Sequence, residues 1–135
     1  MSFSNRLDLL KNNFHLNSLD GIYVTNLTNI RYLTGFTGSA GSLLILDNKQ
    51  YFFTDGRYIE QSKNQVKNAT IIITGSAHYS EIKSKNLLND NMTIGFESDY
   101  VSVNLFSQFK QQLNKIKWIP TSGIIEKIAA VKDRL

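Results

Sequence analysis

Two apolar runs, Ser42–Leu46 (SLLIL) and Gln50–Thr54 (QYFFT), are separated only by Asp47, Asn48 and Lys49. A short polar turn of this kind suits a β-hairpin, so the two runs are predicted to pair antiparallel. Elsewhere the chain alternates between short strand signals and helical ones, which argues for a layered α/β fold with helices packed on a central sheet. The hairpin makes that sheet mixed. The predicted architecture is a three-layer α/β/α sandwich, built as a single domain over residues 1–135 with no internal repeat and no low-complexity linker.

In chain order, a first helix is expected at 5–14, capped by Ser4 or Asn5, with Leu9, Leu10 and Phe14 on or near one apolar face. Residues 21–25 read as a short buried strand. A brief helical turn follows at 26–32, where Thr28 or Asn29 can satisfy exposed N–H groups. Asp55 is placed to cap a helix over 57–65, its carboxylate meeting the positive end of the helix dipole. At 70–74, three consecutive isoleucines are too continuous for a strand with one wet face, so an interior strand packed on both sides by helices is expected. A helix at 78–88, a strand at 93–97, a helix at 102–113 and an edge strand at 117–120 follow, the edge tolerating Pro120. A closing helix covers 123–134.

A chain of 135 residues with 41% hydrophobic content is long enough to bury a real core. It contains no cysteine, which excludes disulfides, a thiolate nucleophile and a Cys-based zinc site, and fits an intracellular setting. No stretch approaches the roughly 20 apolar residues of a spanning helix, so no membrane partner is expected. The net charge is +4, yet the lysines fall singly or in loose groups such as Lys83/Lys85 and Lys110/Lys115/Lys117, with acids interspersed. A nucleic-acid footprint wants a dense basic stripe, so no nucleic acid is expected as a partner.

The stretch most suited to function is 29–58, NIRYLTGFTGSAGSLLILDNKQYFFTDGRY. Glycine and serine loosen its central loop while aromatic residues flank it, and loops held by rigid elements are where binding groups tend to sit. Its candidate residues for a substrate-proximal loop or interface are Arg31, Tyr32, Phe36, Thr37, Ser39, Arg57 and Tyr58. Phe36, between glycines 35 and 38, is expected to project from the loop and line an apolar pocket. A tight strand-entry turn remains the competing reading of the loop. Arg57 either pairs with Asp55 or grips a carboxylate at a domain or subunit contact, and Arg31 is open in the same way.

No catalytic residue is expected. His15 and His78 lie in separate segments without metal-ligand spacing, and are read as surface or helix-end histidines. Ser39 sits in Gly38-Ser39-Ala40-Gly41, which is not Gly-x-Ser-x-Gly and has no clear base. The glycines lack the Gly-Lys-[Ser/Thr] ending of a phosphate-binding loop.

NIRYLTGFTGSAG, followed at the right distance by TDGRYIEQ, resembles the amino-terminal domain of the creatinase, prolidase and aminopeptidase P family, especially in bacterial two-domain Xaa-Pro peptidases. IGFE at 94–97 and IIEKIAAVKDRL at 124–135 resemble later landmarks of the same domain. The resemblance implies a ribonuclease H-like sandwich, and a parent that is a metal-dependent Xaa-Pro dipeptidase or aminopeptidase. It implies a separate C-terminal "pita-bread" catalytic domain, absent from this chain, in which Asp, His and Glu residues hold two divalent ions (Mn, Co or Zn). This chain would itself bind no metal or cofactor, be inactive alone, and support a cytoplasmic homodimer acting on proline-containing peptides. The loop at 34–42 would complete or gate a neighbouring subunit's active site, with Phe36 against the proline ring. The N-domain of a creatinase-type C–N hydrolase, a peptide-binding module such as histone-chaperone subunits retain, and a free-standing regulatory protein remain alternatives.

Overall fold

Strands with apolar side chains on both faces need cover on both sides, and the chain supplies it with helices. The computed structural model describes residues 2–133, with side-chain surroundings through Ala130. Its strands are β1 (Gly21–Val24), β2 (Ser42–Leu46), β3 (Gln50–Thr54), β4 (Thr70–Ile73), β5 (Thr93–Glu97) and β6 (Lys117–Thr121). They form one sheet in the order β4-β3-β2-β1-β5-β6. As the short turn predicts, β2 and β3 pair antiparallel, and β2 is also antiparallel to β1, whereas β3/β4, β1/β5 and β5/β6 are parallel. The sheet is therefore mixed, with β2 alone reversed.

The helices are α1 (Phe3–Leu16), α2 (Leu27–Thr34), α3 (Ile59–Gln65), α4 (His78–Ser84), α5 (Val103–Gln112) and α6 (Ile124–Asp133). Period-2 alternation divides the strand side chains between two cores. Ile22, Val24, Leu43, Ile45 and Phe52 pack with Leu10 and Phe14 of α1, Ile30 and Leu33 of α2, and Ile125 of α6. Tyr23, Leu44, Leu46, Phe53, Ile72 and Ile94 pack on the other face with Ile82 of α4 and Phe109 of α5. This is the expected three-layer α/β/α sandwich. Each fully buried Leu, Ile or Phe contributes about 1.5–3 kcal/mol of transfer free energy, so the two cores dominate stability.

Several local expectations are corrected. Helix α1 begins earlier than 5, because Ser2 Oγ, and neither Ser4 nor Asn5, accepts the Asn5 N–H at 3.1 Å. Its buried stripe is Leu7, Leu10 and Phe14, leaving Leu9 exposed. The cap of α2 is Asn26, which takes the Asn29 N–H at 3.1 Å, and the helix runs on to Thr34. Asp55 caps as expected, but over a 3₁₀ turn at Gly56–Tyr58 that leads into α3. Helix α4 stops at Ser84, short of 88, where Asn86 takes a left-handed φ of 52° and turns the chain so that Leu88 is buried.

The largest correction concerns β4. It is an edge strand paired only with β3, and Ile73 is 38% exposed. Ile71 and Ile72 do reach opposite cores, so the apolar run reports cover over the two faces and carries no information about a lateral neighbour. Strand β6 occupies the opposite edge, where Pro120 was expected. In the closing helix, Arg134 lies outside the described residues.

Candidate functional site

Strands β1, β3, β4, β5 and β6 all point the same way, so their carboxyl ends gather at one edge of the sheet together with the loop 35–41 that enters the reversed β2. In α/β sheets ligands bind in the crevice outside such carboxyl ends. Helix α2 ends at Gly35, whose φ of 89° is left-handed and whose N–H bonds the Arg31 carbonyl at 2.8 Å. Phe36 then turns inward. It is 1% exposed, with its ring 4.7 Å from that of Phe52 and edge-on to that of Tyr58 at 5.5 Å. The projecting, pocket-lining Phe36 is thereby corrected to core packing, and Gly38 is required because a Cβ there would overlap the Phe36 ring and lie 2.8 Å from Tyr58.

The exposed part of the loop is held by side chains from α3 and the 3₁₀ turn. Thr37 N–H donates to Gln65 Oε1 at 2.9 Å, and Thr37 Oγ1 accepts from Gln65 Nε2 at 2.9 Å and from Gln61 Nε2 at 3.1 Å. Ser39 N–H donates to the Tyr58 hydroxyl at 3.2 Å, and the two hydroxyl oxygens are 2.5 Å apart. These bonds lower the Tyr58 pKa. Arg57 forms a fork on Asp55, Nε to Oδ1 at 2.9 Å and a terminal nitrogen to Oδ2 at 2.8 Å, with its guanidinium 5.2 Å from the Tyr58 ring centre. The Arg57 side chain holds the Asp55 carboxyl down to about 2.

The structure thus brings Phe36, Thr37, Ser39, Arg57 and Tyr58 together at this edge and sets the other two apart. Arg31 is exposed on α2 and forms no ion pair among the described residues. Tyr32 is half-buried beneath the Arg6 guanidinium, 4.5 Å from its ring centre, and its carbonyl accepts from Arg6 at 2.7 Å.

Two further constellations escape sequence reasoning. The buried Tyr23 hydroxyl donates to Ser42 Oγ at 2.7 Å, and Ser42 Oγ lies 2.5 Å from His78 Nδ1. His15 is the expected surface histidine, 2.8 Å from Asp47. His78 is the expected helix-end histidine in that it opens α4, but it is half-buried and stacked 5.7 Å from Phe53, and burial draws its pKa below the ordinary range. The available signal was Tyr23 itself, since a buried tyrosine hydroxyl needs a partner. The second is Glu97, buried at the end of β5. Its Oε1 accepts from the N–H groups of Thr25 at 2.8 Å and Asn26 at 2.9 Å, and its Oε2 from Asn29 Nδ2 at 2.6 Å. Burial pushes its pKa up despite these bonds, so Glu97 clamps the β1–α2 turn.

Among the described residues, no three His, Asp or Glu gather as a metal-ligating group, and no helix is long and apolar enough to cross a membrane. The chain matches the Creatinase/Prolidase N-terminal domain over residues 6–131. The uncharacterized peptidase YqhT of Bacillus subtilis (strain 168) is 33% identical over 128 residues, covering 95% of this chain and 36% of that protein. The Xaa-Pro dipeptidase from Bacillus anthracis superposes with a TM-score of 0.84 at 32% identity, covering 94% of this chain and 36% of that one. The N-terminal domain of the cytoplasmic peptidase PepQ from Mycobacterium tuberculosis H37Rv gives 0.80 at 27% identity, covering 92% and 98%. The chain spans about a third of the length of the two longer relatives and nearly all of a domain solved by itself. In sequence and in overall fold, the chain belongs to the creatinase/prolidase N-terminal domain family.

Proposed function

We propose that this chain is the non-catalytic amino-terminal domain of a metal-dependent Xaa-Pro dipeptidase or aminopeptidase. The observation that carries the reading is one of coverage: peptidase relatives match almost the whole chain, while the match takes in only 36% of their length. The hydrolytic chemistry is assigned to the remaining part of the parent, where two divalent ions would activate a water and polarise the scissile carbonyl. Among the described residues, no His, Asp and Glu gather in a way that fits such a centre.

On this reading the domain supports a cytoplasmic homodimer, and its carboxyl-end rim faces the substrate site for proline-containing peptides. Thr37, Ser39 and Arg57 supply the exposed polar groups, with Arg31 at the flank, while Phe36 and Tyr58 hold the loop in shape from beneath. The test is to express the complete reading frame and the 135-residue chain side by side. The complete protein is expected to hydrolyse Xaa-Pro peptides with manganese or cobalt, and the chain alone to show no turnover above buffer. Activity that co-purifies with the chain alone through successive columns refutes the assignment.

A further inference from the structure

The cleft beside Tyr23, Ser42 and His78, about 370 Å³ in volume, has no role in the reading above. Burial keeps the Tyr23 hydroxyl protonated, and it donates to Ser42 Oγ. The serine keeps a hydrogen of its own: given to His78 Nδ1, 2.5 Å away, it carries the chain on in one direction, whereas Nδ1–H donating to Ser42 Oγ is the other tautomer. An Nδ1 that accepts places the proton of a neutral imidazole on Nε2. His78 Nε2 has no hydrogen-bond partner among the described residues, and the ring lines the cleft.

The surroundings select what such a donor can hold. Asp55 and Glu81 both act electrostatically on His78, which disfavours an anion, and an N–H donor repels a cation. Tyr79, Tyr100, Leu105 and Phe109 give the cleft apolar and aromatic walls. Its volume lies within the range of roughly 300–1,000 Å³ common to small-ligand sites. We infer that this cleft binds an uncharged carbonyl group carried beside an apolar or aromatic side chain, with His78 Nε2–H as the donor to the carbonyl oxygen. The inference stands apart from the peptidase reading and does not require it.

The test uses the ¹⁵N-labelled chain and long-range imidazole spectra at neutral pH. Before any ligand is added, His78 should show a protonated Nε2 and an unprotonated Nδ1. N-acetyl-L-phenylalaninamide is then titrated, with N-acetyl-L-phenylalanine and toluene as comparisons. The amide should shift His78 Nε2 and the Phe109 ring signals along a saturable curve, bind at least about threefold more tightly than toluene, as one hydrogen bond of ordinary net strength requires, and bind more tightly than N-acetyl-L-phenylalanine, whose carboxylate meets the field of Asp55 and Glu81. Ser42→Ala should release the tautomer and weaken amide binding about threefold or more while leaving the backbone spectrum folded. An Nδ1–H tautomer in the unliganded protein, no saturation up to the amide's solubility, or equal affinity for amide and toluene each overturns the inference.

Discussion

Replacing Phe36 with alanine is expected to damage the fold of this domain. The ring is 1% exposed and wedged between Phe52 and Tyr58, and Gly38 crosses it too closely for the loop to collapse into the vacated space. Emptying such a site costs about 3–5 kcal/mol. Against a typical domain stability of about 5–15 kcal/mol that is a large fraction, and the variant should remain folded but weakened. With a urea m-value of about 1–3 kcal/mol/M, the midpoint falls by roughly 1–5 M. Fluorescence of Trp118, the chain's one tryptophan, reads the transition well, because it stacks 5.0 Å from Phe109 in the opposite core and responds to global unfolding. Phe36→Leu, which keeps much of the volume, should cost less than half as much. A loss below about 1 kcal/mol for Phe36→Ala refutes the packing argument and returns the ring to a role outside the core.

In the edge strand, Ile72→Ala should cost about 2–4 kcal/mol and the half-exposed neighbour Ile73→Ala less than about 1 kcal/mol, measured by the same melts; equal losses would contradict the facing assigned to β4. Glu97→Gln should cost about 1–3 kcal/mol, because one end of the amide must meet N–H donors with a donor of its own. Burial raises the Glu97 pKa above its ordinary 4.5, so the folded state binds the extra proton and stability from this group is lost as pH rises through the folded pKa. The gap between wild type and Glu97→Gln should accordingly narrow as pH rises above Glu97's ordinary 4.5, and a widening gap refutes the dominance of burial. Ser39→Ala should raise the Tyr58 pKa back toward 10, followed by tyrosinate absorbance or ring NMR, and an unchanged titration would show that the Ser39 bonds do not persist in solution.

The hairpin, the layer count and the edge position of β6 were readable because each depends on neighbours in sequence: three polar residues between two apolar runs, a change of period, a proline. The Asp55–Arg57 pair was one of two open readings for the same reason, its partners lying two residues apart. The glycines around Phe36 misled because looseness and crowding leave the same residue behind. Gly35 serves a left-handed helix end and Gly38 a close approach to a ring, and neither implies a mobile loop. The lateral place of β4 and the Tyr23–Ser42–His78 chain were hidden because they join residues brought near only by the sheet. Ser2 escaped as a cap because Ser4 and Asn5, of capping types themselves, stand just behind it.

Strand β1 is made before the other five strands of the sheet and sits next to the reversed β2 on one side and β5 on the other, with Gly21 opposite Ile94. During synthesis at roughly 5–20 residues per second, the hairpin half can assemble on β1 for several seconds before β5 emerges. Over that interval the nascent chain presents an open row of backbone groups along β1, and its buried tyrosine awaits Phe109 from a helix made later still. A ribosome stalled between β4 and β5 would therefore display a sticky half-sheet, which makes the distance in sequence between two adjacent strands a determinant of how much this domain relies on chaperones while it is being made.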